Sequence, residues 1–391
     1  MSFTQQDTAD RLYYDVLISN IQTIDTEPPV LYFNETRNNA FVYDPESYYM
    51  SIIRFTLDTP TLPVILPEIQ IDQGNRDLTI YSTTLSWTDP VGGNTFNSPQ
   101  TYVIFQPQNL SATVPAPPNA TLNKLQNNQT GYYNITNYQY WIYLVNNAFV
   151  SAFNSLNALV VAGGLVLPTT NPPVLSWDTV NNIAILNADE LGYGVNAVGG
   201  QIEIYFNPAM YQLFNSFPVI IQKLNNASLG KNVLIQADAF GGANVVLFPP
   251  SAPALSQYNA LQIVQEYSTV ALWTPITSLV FCSNTLPIVP NNISAPLLFI
   301  NGGIFNNGGN NSNIAQIITD FVADNQEYKP QISYTPSAEY RLINLVGNRP
   351  IFNLDILVFW RDRTGQYIPF RLSSGSSATI KILFTRKSNT L

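Results

Sequence analysis

The chain has 391 residues, 46% of them hydrophobic and 12% aromatic, enough for two domains or one large one. Charged residues make up only 10%, against roughly 25% in average soluble domains, so Asn, Gln, Ser and Thr must carry the polar surface. There is no histidine and a single cysteine, Cys282, which excludes Ser-His-Asp, Cys-His and His-metal chemistry, an internal disulfide and a cysteine zinc cluster.

Residues 1–25 hold one Arg and four Asp, so no basic arm is present to wrap nucleic acid by charge neutralisation. No signal-peptide core occurs in residues 1–20. A short helix or extended arm is expected at Leu12–Ile21, stopped by Pro28-Pro29. Short strands are expected at Val30–Phe33 and Ala40–Tyr43, and a stronger one at Tyr48–Leu57. Alternation resumes over Ile69–Ser82 around the turn Gln73–Arg76, then at Thr101–Phe105. Gln106–Gln129, rich in Pro and Asn, reads as a long surface loop.

One helix follows. Tyr138, Trp141, Ile142, Val145, Phe149, Ala152, Phe153, Leu156 and Leu159 recur mostly at spacings of three and four, with Asn137 as N-cap and Gly163-Gly164 as stop. The uncharged run Trp141–Leu167 is long enough for a membrane span. Asn146, Asn147, Asn154 and Asn157 argue for a face packed on a sheet instead.

Strands are expected at Val174–Trp177, Ile183–Leu186, Gln201–Phe206, Val233–Ala237 and Val245–Phe248, with a helical turn or two in Met210–Phe217. Pro249–Pro253 is the best linker. Beyond it the strand pattern restarts at Ile263–Tyr267, Val270–Trp273, Leu279–Phe281, Ile314–Val322 and Ile332–Tyr334, with a Gly- and Asn-rich loop at Asn301–Asn313. The chain closes on three strands, Phe352–Trp360, Gln366–Leu372 and Ala378–Thr385, joined by turns at Arg361–Gly365 and Ser373–Ser377, an antiparallel meander or the closing strands of a sandwich. The pattern predicts an all-β protein of two tandem jelly-roll β-sandwiches, a double jelly roll. The first spans 1–250 with a helix inserted near 137–162, and the second spans 251–391.

Little in the chain carries chemistry. Phosphate-loop spacing is absent. Asp189-Glu190 and Asp320 with Asp324 are the carboxylate pairs a glycosidase would need, but loop and surface charges are the simpler reading. Asp72 and Asp77 lack calcium-loop spacing. Tyr132-Tyr133, Tyr138 and Tyr140 fit sugar stacking or a core equally. Cys282, in the apolar run Leu279–Cys282, reads as a buried inert thiol. Neither a catalytic centre, a metal nor a cofactor is expected.

Several stretches resemble the major capsid proteins of the double jelly-roll lineage, especially those of polinton-like viruses and virophages. They are Leu31–Arg37 with Ser51–Thr59, Ile204–Asn207, Leu279–Pro287, and Ser337–Arg341 with the closing meander. The resemblance implies a structural virion protein with two upright jelly rolls, trimeric, its six barrels forming a pseudo-hexameric capsomer of an icosahedral shell. Implied partners are further copies of itself, penton and minor capsid proteins, and an inner membrane or inner capsid component, without sequence-specific nucleic-acid binding. The chain is short for a virophage member. A trimeric, β-rich glycan-binding attachment or fibre protein is the alternative.

The net charge of −9 is uneven. From Ile332 onward eight Lys/Arg face three acids, an excess of +5 against −14 elsewhere. Arg361, Arg363, Arg371 and Lys387 in that basic region are the expected subunit-interface residues, meeting acidic surfaces of neighbours or of an inner capsid component.

Overall fold

The computed structural model describes residues 9–21, 28–71, 74–108, 116–120, 126–222, 230–237, 244–248, 257–288, 297–298, 304–305, 316–322, 330–335 and 341–387. The linker Pro249–Pro253, Asp72, Asp324, and much of the two expected loops at Gln106–Gln129 and Asn301–Asn313 lie outside them.

The chain opens with β1 (Arg11–Ser19), β2 (Tyr32–Thr36) and β3 (Tyr48–Asp58). Next come β4 (Leu78–Thr88), β5 (Thr95–Asn97), β6 (Thr101–Ile104), α1 (Tyr138–Ala162), β7 (Val174–Asp178), β8 (Ile183–Asp189), α2 (Glu190–Tyr193) and β9 (Ile202–Phe206). They are followed by α3 (Pro208–Leu213), β10 (Val219–Ile221), β11 (Val233–Ile235), β12 (Asn244–Phe248), β13 (Tyr258–Val264) and α4 (Val270–Trp273). The last group is β14 (Ile276–Ser283), β15 (Leu297–Leu298), β16 (Ile304–Phe305), β17 (Gln316–Val322), β18 (Gln331–Tyr334), β19 (Ile343–Asn344), β20 (Asn353–Asp362), β21 (Tyr367–Pro369) and β22 (Ser377–Arg386).

Two compact units result, and they are nested in the chain. Met1–Leu62 and Pro275–Leu391 together build a split unit, and Pro63–Thr274 forms an inserted unit between them. This division differs from the expected boundary at 250/251. Both termini contribute strands to the same sheets, a long-range pairing that local linker composition does not report.

The split unit is a jelly roll. One antiparallel sheet runs β1-β22-β3-β18, with β19 also on β3; the other runs β17-β14-β20-β2, with β21 on β20. Counted in chain order without the short strands, the first sheet joins strands one, eight, three and six, and the second joins five, four, seven and two. That is the order of an eight-stranded sandwich of two Greek keys. Alternation drives it, because successive side chains on a strand point to opposite faces. On β22 the buried Ala378 and Ile380 alternate with the half-buried Ser377, Thr379 and Lys381, and beyond the bulge at Lys381/Ile382 the strand is buried from Ile382 to Thr385. On β20, Leu354, Ile356, Val358 and Trp360 are buried. Phe55 of the first sheet meets Phe281 and Phe321 of the second at ring-centroid distances of 5.1 and 4.8 Å.

Of the two alternatives for the closing segment, the closing strands of a sandwich are realised and the continuous meander is not. β20 and β21 form the expected hairpin, but β22 crosses to the other sheet, between β1 and β3. Near the N-terminus the extended alternative is the one realised, as β1. Val270–Trp273, read as a strand, is the short helix α4, because four apolar residues fit either geometry.

The inserted unit has two antiparallel sheets, β10-β11-β9-β4-β5 with β6 on β4, and β12-β13-β8-β7. Helix α1 packs against β4, β6 and β7. Its start is capped as expected, the Asn137 side chain accepting from Gln139 N at 2.7 Å, and its end is released by Gly164 at φ 74°. The helix is long and apolar enough to cross a membrane, yet Trp141, Val145, Phe149, Ala152 and Leu156 are fully buried in this unit's core. Asn146 is buried too. Its Nδ2 donates to Leu175 O at 2.9 Å and its Oδ1 accepts from Leu175 N at 2.7 Å, so the helix serves both backbone groups of one β7 residue.

Asn146→Ala leaves that donor and acceptor unpaired in a dry interior and is expected to cost about 1–3 kcal/mol, measured as a drop in the denaturant midpoint of unfolding.

Candidate assembly surface

The residues weighed for catalysis are structural. Asp189 is buried and caps α2, accepting from Leu191 N at 3.0 Å and from Asn171 Nδ2 at 2.9 Å, while Glu190 is exposed. Asp77 accepts from the Tyr132 hydroxyl at 3.0 Å, and burial raises its carboxyl above the usual range. Tyr132 and Tyr133 are core residues packed on Phe105 at 5.4 and 5.2 Å, and Tyr138 stacks on Trp177 at 4.9 Å. Tyr140 is half-buried and its hydroxyl donates to Gln106 O at 3.1 Å. Among the described residues no group of three His, Cys, Asp or Glu side chains could hold a metal ion. Cys282 is buried on β14, and burial pushes its thiol up to about 12.

What the split unit does present is sheet edges and charged rows. Among the described residues β1 has a strand partner on one side only, β22. Its outward side chains include Tyr13, 50% exposed, and Leu17, 69% exposed. Between them Asp15 stands in register with Lys381 of β22, which faces Arg54 of β3. The carboxylate lies 3.4 Å from Lys381 Nζ and 3.6 Å from an Arg54 nitrogen, and Lys381 Nζ sits 5.6 Å from the Tyr13 ring centroid. On the other sheet Asp320 of β17 pairs with Arg341 and approaches Arg361 at 3.9 Å. Such exposed pairs contribute about 0–1 kcal/mol each, so folding does not require them.

The four expected interface residues separate into two kinds. Arg361 stands at the outward end of β20 beside Asp320, and Arg363 is exposed on the turn that follows. That turn is held by Asp362, whose carboxylate accepts from Thr364 N at 2.8 Å and Gln366 N at 2.9 Å. Arg371 instead donates to Pro28 O at 2.9 Å. Lys387 donates to Glu46 O and, at 3.2 Å, to Leu345 O, above the Tyr49 ring at 5.4 Å. Both of these cations tie distant parts of their own chain.

Three carboxylates escaped sequence reasoning. Asp15 organises the charged row. Asp58 accepts from Gln331 Nε2 at 2.8 Å and Ser377 N at 2.7 Å, and these bonds hold its carboxyl below the usual range. Asp355 is fully buried and accepts from Ser283, from Asn284 N at 3.0 Å, from Thr285 N at 3.1 Å and from Thr285 Oγ1 at 2.6 Å. It therefore fixes the turn after β14. A lone acid in an apolar strand, as in Asn353–Trp360, is the one signal that could have marked it.

The Cys282 thiol is expected to resist alkylation in the folded chain near neutral pH and to react at once in denaturant. Its contribution to stability is intact below the ordinary thiol value of 9.0 and is lost as pH rises toward about 12. Labelling followed by mass spectrometry checks the first point, and unfolding curves across alkaline pH check the second.

The family model for Sputnik minor capsid protein V18/19 matches residues 12–386. The chain is 30% identical to structural protein V19 of Sputnik virophage over 190 residues, 48% of this chain and 82% of that protein. It is 32% identical to the uncharacterized protein V18 of the same virophage over 154 residues, 39% of this chain and 88% of that one. Among solved structures, a chain of the Sputnik virophage determined by cryo-electron microscopy superposes with a TM-score of 0.77 at 28% identity, covering 98% of this chain and 99% of that one. The mavirus penton protein shares the fold, with a TM-score of 0.56 at 14% identity over 97% and 100% of the two chains. The chain belongs to the Sputnik minor capsid protein V18/19 family.

Proposed function

We propose that this member of the V18/19 family is a shell protein of a virophage-type virion that stands at the fivefold vertices. Its structural, non-enzymatic role in the capsid follows from family membership. The position at the vertex rests on one observation: among the described residues, one eight-stranded jelly roll is closed from the two ends of the chain. A pseudo-hexameric capsomer built from trimers needs two such sandwiches per subunit. Among the described residues the inserted unit has a different strand order and a helix in its core, which favours a plan with one shell-forming sandwich per subunit. A ring of five single jelly rolls satisfies a fivefold position, and the likeness to a penton protein agrees with it.

In this reading the split unit makes the contacts between subunits and with the surrounding capsid proteins. Arg361 and Arg363 are the cations that meet acidic neighbours, since Arg363 is exposed and Arg361 is held only by a half-exposed ion pair, whereas Arg371 and Lys387 donate to backbone carbonyls of distant segments. The trimeric major capsid protein remains the second reading, favoured by the resemblance of the strand segments alone.

Native mass spectrometry of the purified chain separates the two. A five-copy ring supports the vertex reading, a three-copy particle supports the trimeric one, and a stable monomer at micromolar concentration overturns both. Replacing Arg361 and Arg363 together by Glu is expected to abolish assembly while the chain stays folded, because the Arg361–Asp320 pair contributes at most about 1 kcal/mol. Normal assembly of that variant removes the two arginines from the interface.

A further inference from the structure

The larger sheet of the inserted unit turns Leu85, Ile204 and Phe206 toward the core. Its opposite face carries a polar row. Asn97 on β5, Ser86 on β4 and Glu203 on β9 stand in register across three neighbouring strands, and directly opposed residues share a face. Thr84 and Tyr205 are the next pair along.

Lys231, just before β11, lays its side chain over this row. Its Nζ donates to Asn97 Oδ1 at 3.1 Å and to Ser86 Oγ at 3.0 Å, and lies 4.7 Å from the Tyr205 ring centroid. The Tyr205 hydroxyl in turn donates to Glu203 Oε2 at 2.7 Å. The preceding residue, Gly230, has φ 65° and runs so close to the sheet that a Cβ there would sit 2.8 Å from Thr84 Oγ1. Backbone and side chain together hold the Lys231 amine against the Asn97 amide, with the Glu203 carboxylate on the same face beyond Ser86.

We propose that Lys231 and Asn97 join in an intramolecular isopeptide bond, with Glu203 as the proton carrier. A lysine amine in contact with a carboxamide, and an acid on the same face whose charge reaches that amine, contain all the reactants such a bond requires. Glu203 accepts one proton from the Lys231 ammonium. The neutral amine attacks Asn97 Cγ, a bond forms between Nζ and Cγ, and the bond from Cγ to the amide nitrogen breaks with its electron pair on nitrogen. Glu203 delivers its proton to that nitrogen and takes the second proton from Nζ. Ammonia leaves, carrying the last proton as ammonium when Glu203 returns to the carboxylate. No oxidant, reductant or cofactor enters the balance.

Desolvation pulls the Lys231 amine below its usual value, against the opposing pull of Glu203, and so favours the attacking form. Fixed proximity replaces an encounter in solution. The bond would tie β5 to the segment entering β11 across a separation of 134 residues, limiting the freedom of the unfolded chain.

Intact-mass measurement on the folded full-length protein tests this. The expected mass is lower than that of the sequence by one ammonia, and digestion is expected to release a branched peptide joining Asn97 to Lys231. Lys231→Arg and Asn97→Ala are each expected to restore the sequence mass. Glu203→Gln, which keeps an acceptor for Tyr205, is expected to restore it with an unchanged circular dichroism spectrum, an outcome that a purely structural polar row would not produce. A wild-type chain that keeps the sequence mass after prolonged incubation overturns the proposal. So does an ammonia loss that persists in Lys231→Arg, because it would then arise at another asparagine.

Discussion

The split unit depends on its last strand lying between its first and third. β22 pairs with β1 from Arg11↔Thr385 to Ser19↔Ser377 and with β3 from Ala378↔Leu57 to Arg386↔Tyr48. Without it β1 has no strand neighbour, and the sheet loses its middle. The surrounding bonds reinforce that placement. Asn20 exchanges backbone bonds with Ser376 and Gly375 at 3.0 and 2.8 Å, the Tyr48 hydroxyl donates to Ala9 O at 2.8 Å, and Lys387 holds Glu46 O. Such pairings join the two ends of the polypeptide, so loop closure must be met before they reward the chain. The inserted unit closes shorter but still long loops, its β4 pairing with β9 from Thr83↔Phe206 to Trp87↔Ile202.

The elements that were legible in the sequence are those whose signal is local. Helix α1 announced itself through spacing, cap and glycine stop. Strands β3, β9, β20 and β22 did so through alternation. Sheet partnership was not legible. Ser373–Ser377 has the composition of a hairpin turn, yet it carries the chain from one sheet to the other, because the inward row Ala378–Phe384 finds its partners on β1 and β3 and not on β21. The domain boundary was hidden for a similar reason: Leu62-Pro63 and Thr274-Pro275 carry no linker composition, whereas Pro249–Pro253 does.

The surface was legible in part. The basic excess near the C-terminus marked Arg361 and Arg363, which do face outward. It could not distinguish them from Arg371 and Lys387, whose backbone partners Pro28 and Glu46 lie 343 and 341 residues away. Nor could it show that Asp15, one of four acids in a segment read as acidic overall, balances Arg54 and Lys381 across three strands. Asn146 illustrates the same limit in the interior. A polar residue between apolar helix positions reads as solvent-facing until the neighbouring strand is known to offer it both backbone groups.

Two peptide connections, at Leu62-Pro63 and Thr274-Pro275, are all the covalent continuity between the two units. The inserted unit carries four Lys/Arg and ten Asp/Glu over its whole span, and the split unit carries the remaining twelve and fifteen. Of the net charge of −9, the inserted unit therefore carries −6 and the split unit −3, so the more acidic body is the one joined to the rest of the chain by only two peptide bonds.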